Sequence, residues 1–239
     1  MHAATEDFNV ICDIIFQSAI CPPGLVIAAA FTYNKWKEND RATGGNAVTL
    51  RETIESYVPQ CEQEIQDQRM MLRYIDLFPG DILTRENEIA HFSASAWVVN
   101  PQRDRVLMLY HHLYKSWAWP GGHADGEENL LGVALREVQE ETGIERLRPV
   151  TEQLYSLEIL TVNAHVKRGK YVVPHLHLNL TYLLEADDSQ NIRSKPDENS
   201  AVRWFGLDEA VEASTEPEMQ VVYRKLNEKL AALKGDCRR

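Results

Sequence analysis

The chain has 239 residues, and its 36 Asp and Glu residues outnumber its 25 Lys and Arg residues, which gives a formal net charge of −11 at pH 7. This length can bury the core of one sizeable domain and carry a smaller accessory piece. A surface of this sign repels the nucleic-acid backbone, so binding to a nucleic acid duplex is not expected. A small phosphorylated ligand would be repelled too, unless a cation lay between it and the protein.

Cysteine usage and the apolar stretches bear on the location of the protein. The four cysteines form no C-x-x-C pair, so they give no support for a zinc site or a disulfide framework, and a cytoplasmic location is expected. The most apolar stretch, residues 9–33, contains Asp13 and Gln17 and is interrupted by Pro22-Pro23-Gly24. Because a membrane span needs about 20 nearly uninterrupted apolar residues, no membrane segment is predicted.

Three regions are predicted along the chain. Residues 1–47 form an N-terminal extension that ends in a polar, glycine-containing linker. Residues 48–87 form a helical hairpin, because a Thr49-x-x-Glu52 capping box opens one helix and apolar residues at helical spacing mark a second. Residues 88–239 form the main domain.

The main domain combines short strands with helical patterns. Two β-branched or aromatic runs on either side of Pro101 predict a hairpin, and further strands are expected over 154–162, 172–184 and 202–205. A final apolar stripe at helical spacing predicts a helix that stops at Gly235. This mixture predicts an α+β fold, an α/β/α sandwich in which a mixed sheet lies between helices.

One internal helix carries an unusual charge. Asn129 is a good N-cap and Gly143 a good C-terminal residue, so the helix is predicted to run between them. Its last turn collects Glu137, Glu140 and Glu141, on a face that we predict to be separate from the apolar stripe. Each of these charges opposes the helix dipole at a cost of roughly 0.3–1 kcal/mol. A solvated acidic face is the simpler interpretation, but clustered oxygen ligands favour a Mg²⁺ or Mn²⁺ site.

The same glutamates belong to a longer pattern. It reads Gly122-x5-Glu128-x7-Arg136-Glu137-Val138-x-Glu140-Glu141-x-Gly143-Ile144. At all nine of these positions, spread over 23 residues, it resembles the Nudix box of the MutT-like hydrolases. The resemblance covers roughly residues 90–210. It implies a Nudix fold, a divalent cation, and hydrolysis of a diphosphate linkage in a nucleoside diphosphate derivative.

The resemblance also implies roles for residues of the box. Glu137, Glu140 and Glu141 are the implied metal ligands, and one glutamate would act as the base toward the attacking water. Arg136 would orient Glu137, and Glu128 would brace Arg136. Arg136, Glu137 and Glu140 are therefore the candidate catalytic residues.

Three glycines and a loop glutamate complete the implied site. The carbonyl group of Gly122 is a further candidate metal ligand, and Gly121 and Gly122 permit the tight turn before the helix. Gly143 has a structural role at the end of the helix. Glu198 lies six residues before Trp204, the offset of a metal-binding loop glutamate in MutT-like proteins. A simple Asp-Glu-Asn turn is an equally weighted interpretation of Glu198.

Candidate substrate contacts come from the strands. His175 and His177 lie on the polar face of an alternating strand, and with His123 they are candidates for contact with a phosphate or a base. Trp119 is a candidate for stacking on a nucleobase. A half-exposed polar strand and core packing are the respective alternatives.

The sequence leaves the substrate open, beyond a small nucleotide-type molecule. The proline of sugar-nucleotide members of the family is missing after the box, where this chain has Ile159-Leu160, and so is the tyrosine of dinucleoside polyphosphate members. A ligand-sensing regulator without hydrolysis is one alternative, disfavoured by the intact box. An enzyme like isopentenyl diphosphate isomerase is another, disfavoured because no cysteine occurs between residues 62 and 236. A homodimer is compatible with either function.

Overall fold

The computed structural model describes residues 48–167 and 169–236, so the predicted extension and linker over 1–47 lie outside the described residues. The helices are α1 (Leu50–Glu55), α2 (Glu62–Leu77), α3 (Leu130–Thr142), α4 (Leu207–Ala213) and α5 (Pro217–Asp236). The strands are β1 (Ala90–Val99), β2 (Arg105–His111), β3 (Ser116–Ala118), β4 (Gly121–His123), β5 (Leu147–Pro149), β6 (Ser156–Val162), β7 (His165–Lys167), β8 (Lys170–Val172), β9 (His175–Ala186) and β10 (Asn199–Gly206). Among these helices, none has the length and apolar character that a membrane crossing requires.

Eight strands of the described chain form one mixed sheet, in which β10, β2, β1, β9 and β5 lie side by side. The two central strands, β1 and β9, pair in parallel from Ala90↔Leu176 to Val99↔Glu185. β1 and β2 meet at Val99↔Val106, and further along β1 pairs with β4 instead. This arrangement brings β4, the strand just before α3, to the middle of the sheet.

The sheet has a core on each face, because side chains alternate along β1 and β9. On one face, β1 and β9 contribute apolar residues such as Phe92 and Leu178 to a core that includes Val133 and Val138 of α3. On the other face, Trp97 belongs to a core with residues of α4 and α5. The predicted α+β sandwich, with a mixed sheet between helices, is confirmed.

Two predicted elements differ from the structure in detail. The strand expected over 172–184 is two strands, since Pro174, which has no N–H to donate, separates β8 from β9. β8 instead pairs with β7 in a separate two-stranded sheet. The short helix α4 was not predicted.

The helical hairpin packs into the main core. Leu50 and Ile54 of α1 and Met71 of α2 are buried in the same core as the sheet residues that face α3. The predicted capping box at Thr49 is present and opens α1. The hairpin is therefore packed as part of the domain that contains the sheet.

A buried ionic network also connects α2 and α5 to the sheet. Glu64 of α2 is fully buried, and Lys229 of α5 donates hydrogen bonds to Glu64 and to the hydroxyl of Tyr57. The ammonium of Lys225 lies 3.3 Å from the Glu64 carboxylate and 2.9 Å from that of Glu158 on β6. Burial opposes ionisation of Glu64, but the two lysines overcome it and hold the pKa of this carboxyl below its usual value.

Candidate active site

The acidic helix forms as predicted, from Leu130 to Thr142. The Asn129 side chain accepts a hydrogen bond of 3.0 Å from the backbone N–H of Gly132, which caps the N-terminus. Gly143 ends the helix at a φ of 71°, a left-handed conformation that glycine adopts without strain. Both predicted caps are confirmed, so the position of the glutamates along α3 is well defined.

Glu141 does not lie on a face separate from the apolar stripe, as the sequence predicted, but is buried. Its side chain is 3% exposed, and its Oε2 accepts a hydrogen bond of 2.9 Å from the backbone N–H of Gly121. Glu141 follows the buried Ala134 by seven residues, which is about two helical turns, so both residues face the sheet. Burial is the main cause that raises the pKa of Glu141 to about 8. The charges of Glu137 and Glu198 raise it further, whereas the hydrogen bond from the Gly121 N–H lowers it.

This raised pKa predicts how stability depends on pH without divalent cations. The pKa of Glu141 in the folded state lies above its ordinary value of 4.5, so its contribution to stability is complete below about pH 4.5 and is lost as the pH rises to about 8. The loss amounts to a few kcal/mol. We expect the free energy of unfolding in EDTA to fall more steeply with pH in wild type than in Glu141→Gln. Urea denaturation at pH 5, 6.5 and 8 measures this free energy for both proteins. The same dependence on pH in wild type and variant would contradict the expectation.

Glu137 lies against the backbone of Gly122. A Cβ added at Gly122 would be 2.5 Å from the Cδ atom of Glu137 and 2.6 Å from its Oε1, so any larger residue here would displace this carboxylate. Burial, together with Glu140 and Glu198, raises the pKa of Glu137. Two of the predicted metal ligands, the Glu137 carboxylate and the Gly122 backbone, are thus adjacent.

The loop before β10 brings Glu198 to the acidic helix. The ammonium of Lys195 lies 3.3 Å from Glu140 Oε2 and 3.1 Å from Glu198 Oε2. The Asn199 side chain donates a hydrogen bond of 3.0 Å to the backbone carbonyl of Glu141, which ties the loop to the end of α3. The predicted turn also exists, since the N–H of Glu198 donates to the carbonyl of Lys195. The sequence did not point to Lys195, whose ammonium group pairs with two of the predicted ligands, Glu140 and Glu198.

Arg136 has a different partner from the one predicted. Its Nη1 lies 2.6 Å from Oε1 of Glu127, and its Nε lies 4.0 Å from Oε1 of Glu140. The predicted brace, Glu128, directly precedes the N-cap, where its carbonyl accepts a hydrogen bond from the N–H of Leu130. The side chain that contacts Arg136 is instead that of Glu127, one position earlier. The orientation of Glu137 by Arg136 stays a prediction.

Four histidines gather on the sheet face opposite α3. The parallel pairing of β1 with β9 places His91 beside His177, and the pairing of β1 with β4 places His123 nearby. Together with His175, their ring centroids lie 4.8–5.1 Å apart in the neighbouring pairs. The structure thus brings the three predicted histidines together and adds His91. The sequence signal for His91 was its place at the start of an alternating strand, but no local pattern shows which strands pair in parallel.

Trp119 lies in the core rather than with the histidines. It is 9% exposed and packs edge-on against Tyr223 of α5, with ring centroids 5.5 Å apart. The backbone N–H of Trp119 donates to the Tyr223 hydroxyl. This position agrees with core packing, the alternative interpretation of Trp119.

Comparisons with known proteins agree on one family. A family model of the NUDIX domain matches residues 89–226, more than half of the chain. The asymmetrical bis(5'-nucleosyl)-tetraphosphatase of Rattus norvegicus is 37% identical over 109 residues, which cover 46% of this chain and 68% of that protein. The CMP-5'-(N-acetyl-N-hydroxy-3-aminopropyl)phosphonate hydrolase of Streptomyces rubellomurinus is 33% identical over 138 residues, covering 56% of this chain and 61% of that protein.

One further relative and one solved structure also resemble this chain. The m7GpppN-mRNA hydrolase NUDT17 of Xenopus laevis is 35% identical over 114 residues, covering 45% of this chain and 36% of that protein. The binary complex of an Ap4A hydrolase from C. elegans has 21% sequence identity and a TM-score of 0.45, covering 59% of this chain and 98% of that one. The matched range contains the whole box, which the structure assembles on α3 and β4. The chain therefore belongs to the Nudix family and is a hydrolase.

Proposed function

We propose that the chain is a cation-dependent enzyme that hydrolyses a diphosphate linkage in a small nucleoside diphosphate derivative. The convergence of acidic groups on one spot is the observation that carries this proposal. Glu137 lies against Gly122, Glu141 is bound to the N–H of Gly121, and Lys195 joins Glu140 to Glu198. These groups come from β4, α3 and the loop before β10.

The donor set fits a hard divalent cation. It consists of carboxylate oxygens with a neighbouring backbone carbonyl, the ligands that Mg²⁺ and Mn²⁺ prefer. The raised pKa values of Glu137 and Glu141 reflect burial and mutual repulsion, which a bound cation relieves. Glu137, Glu140, Glu141 and Glu198 would hold the cation, with the Gly122 carbonyl as a further ligand.

The glutamates of the acidic site have two roles, because some hold the cation in place and one can accept a proton. When bound, the cation neutralises the diphosphate oxygens and lowers the pKa of a water molecule. Glu141 is buried and accepts a hydrogen bond from Gly121, so it holds its position and is poorly placed to exchange protons with water. Glu137, Glu140 and Glu198 are more exposed, and one of their carboxylate oxygens accepts the proton of the attacking water. Arg136, between Glu127 and Glu140, helps to orient this side of α3.

The substrate is proposed as a class. The substrates in the relatives' names, a bis-nucleosyl tetraphosphate, a CMP phosphonate and a capped mRNA, all contain a nucleoside linked to phosphorus. The histidine face is the proposed contact surface for the nucleotide, and His123 is its member within the box. We leave Trp119 out of this surface because it packs in the core.

A substrate panel tests the proposal. Nucleoside triphosphates, sugar nucleotides, dinucleoside polyphosphates and capped RNA are incubated with the full chain and Mg²⁺, and the products are separated by chromatography. We expect cleavage between two phosphorus atoms in at least one class. Absence of turnover on every class, together with binding to an operator DNA, would favour the regulator instead.

We also expect hydrolysis to require a divalent cation strictly. The reason is repulsion: the protein has a net charge of −11, and three glutamates crowd one helical turn, so an anionic substrate cannot approach without a cation. Metal-stripped protein should be inactive in excess EDTA and should recover when Mg²⁺ or Mn²⁺ is restored. Full activity of the stripped protein in EDTA would contradict the expectation.

A further inference from the structure

Three histidines on the face opposite α3 present ring nitrogens to one another. One ring nitrogen from each of His91, His175 and His177 lies within 4.8 Å of the other two. The Nε2 atoms of His175 and His177 are 3.2 Å apart. In a tetrahedral site with metal–nitrogen bonds of about 2.0–2.1 Å, neighbouring nitrogens lie about 3.3 Å apart. The spacing of this pair is already that of two ligands of one ion.

Hydrogen bonds to the backbone fix the tautomers of two of these rings. The Nδ1 of His91 lies 2.9 Å from the carbonyl oxygen of Asn87, and the Nδ1 of His175 lies 2.8 Å from that of Val173. A carbonyl oxygen only accepts, so each Nδ1 carries the proton and each Nε2 carries a lone pair. Histidines that ligate metals commonly donate their other N–H to a backbone carbonyl in this way.

The lone pair on His91 lacks a partner. His91 is 4% exposed, and its Nε2 is buried without a hydrogen bond among the described residues. A proton on the Nε2 of His177 could bond to His175, but that bond would leave His91 unsatisfied. An unpaired buried acceptor destabilises the folded state, and a cation shared by all three nitrogens removes this penalty.

The hydrogen-bond geometry favours a metal ion over an anion. Because the Nδ1 atoms of His91 and His175 donate to backbone carbonyls, their Nε2 atoms present lone pairs, which bind a cation and repel a phosphate oxygen.

We propose that His91, His175 and His177 bind a transition-metal ion, with Zn²⁺ as the best fit. Imidazole nitrogens suit Zn²⁺, Cu²⁺ or Ni²⁺, whereas Mg²⁺ and Mn²⁺ prefer oxygen, so this site differs in chemistry from the acidic site. Three protein ligands leave a fourth position for water or a substrate oxygen. His123, whose ring centroid lies 4.8 Å from that of His177, lies beside these three ligands.

The site lies across β4 from the acidic cluster. Gly122 faces Glu137, and neighbours in a strand face opposite sides, so His123 faces the histidines. His175 and His177 would then reach a substrate through the ion rather than directly. Binding of the ion does not require the proposed hydrolysis, so either proposal can fail alone.

Cobalt provides an optical test on the full-length, metal-stripped chain. We expect one equivalent of Co²⁺ to give the visible bands of a nitrogen-ligated site, without the thiolate charge-transfer band that cysteine ligands would produce, and Zn²⁺ to displace it. His91→Ala, His175→Ala and His177→Ala should each weaken Co²⁺ binding by about 100-fold or more, since loss of even an outer hydrogen-bond partner costs about 10–100-fold.

Two controls locate the bound ion. His165→Ala removes a histidine whose Nδ1 bonds to the carbonyl of Asn163 in its own hairpin, and it should leave Co²⁺ binding unchanged. The double variant Glu137→Gln/Glu141→Gln should leave it unchanged too. Binding that survives the three histidine substitutions, or that disappears only in the glutamate variant, would overturn the proposal.

A measurement on wild type covers the case in which a histidine variant fails to fold. Long-range ¹H–¹⁵N spectra resolve the ring nitrogens of each histidine. On addition of one equivalent of Zn²⁺, the Nε2 signals of His91, His175 and His177 should shift together while those of His165 stay in place. Unmoved signals for the three would overturn the proposal without any substitution.

Discussion

Glu141→Gln should lower turnover by about two to three orders of magnitude while leaving the metal-free protein at least as stable as wild type. In the proposed mechanism, the Glu141 carboxylate would hold a cation whose position and charge supply much of the reduction in the activation barrier. Glutamine keeps the shape of the side chain and an oxygen that can accept the hydrogen bond from Gly121. Glutamine cannot ionise, so the variant avoids the buried charge beside Glu137 and Glu198 that wild type acquires as the pH rises toward the Glu141 pKa of about 8.

Thermal unfolding with and without Mg²⁺ separates the two roles of Glu141. A ligand that binds only the folded state stabilises it, so Mg²⁺ should raise the melting temperature of wild type more than that of the variant. Glu145→Gln, an exposed position just after α3, is the matched control and should change neither turnover nor the Mg²⁺ effect. Near-normal turnover combined with a clearly lower metal-free melting temperature would show that Glu141 is structural.

Local signals predicted the parts of the site that lie close together in the sequence. The caps at Asn129 and Gly143 defined α3 because capping depends on side chains within a few residues. The box motif then located Glu137 and Gly122, which lie against each other. Burial of Glu141 was missed, although its spacing from Ala134 already placed it on the apolar stripe.

Long-range pairing explains what the sequence could not show. His91 joins His177 only because β1 and β9 are parallel neighbours, and a register shift of one residue would turn His91 to the other face. Lys195 reaches Glu140 across 55 positions of chain. The cysteine spacing indicated no zinc site. The ligands proposed above are histidines from two strands that meet only in the folded sheet, so no local spacing could indicate them either.

The hairpin over 48–87 lies outside the matched family range of 89–226. It packs into the core beside the sheet, and its buried Glu64 pairs with Lys225 and Lys229 of α5. Removing this carboxylate leaves Lys225 and Lys229 with less compensation in a buried site. Breaking a buried ion pair by deleting one partner costs about 3–5 kcal/mol, because the remaining charge stays desolvated. We expect Glu64→Leu to lower the free energy of unfolding by this amount.

Urea denaturation in EDTA measures the effect, with Asp76→Asn as the matched control. Asp76 is paired with Arg51 between α1 and α2, but its side chain is 70% exposed, so its loss should cost less than about 1 kcal/mol. The double variant Glu64→Leu/Lys229→Met removes both charges and should recover part of the loss, since an apolar pair of similar volume needs no compensation. If Glu64→Leu costs no more than Asp76→Asn, the ionic network is not what holds the hairpin, and apolar packing of Ile54 and Met71 against the sheet must do so alone.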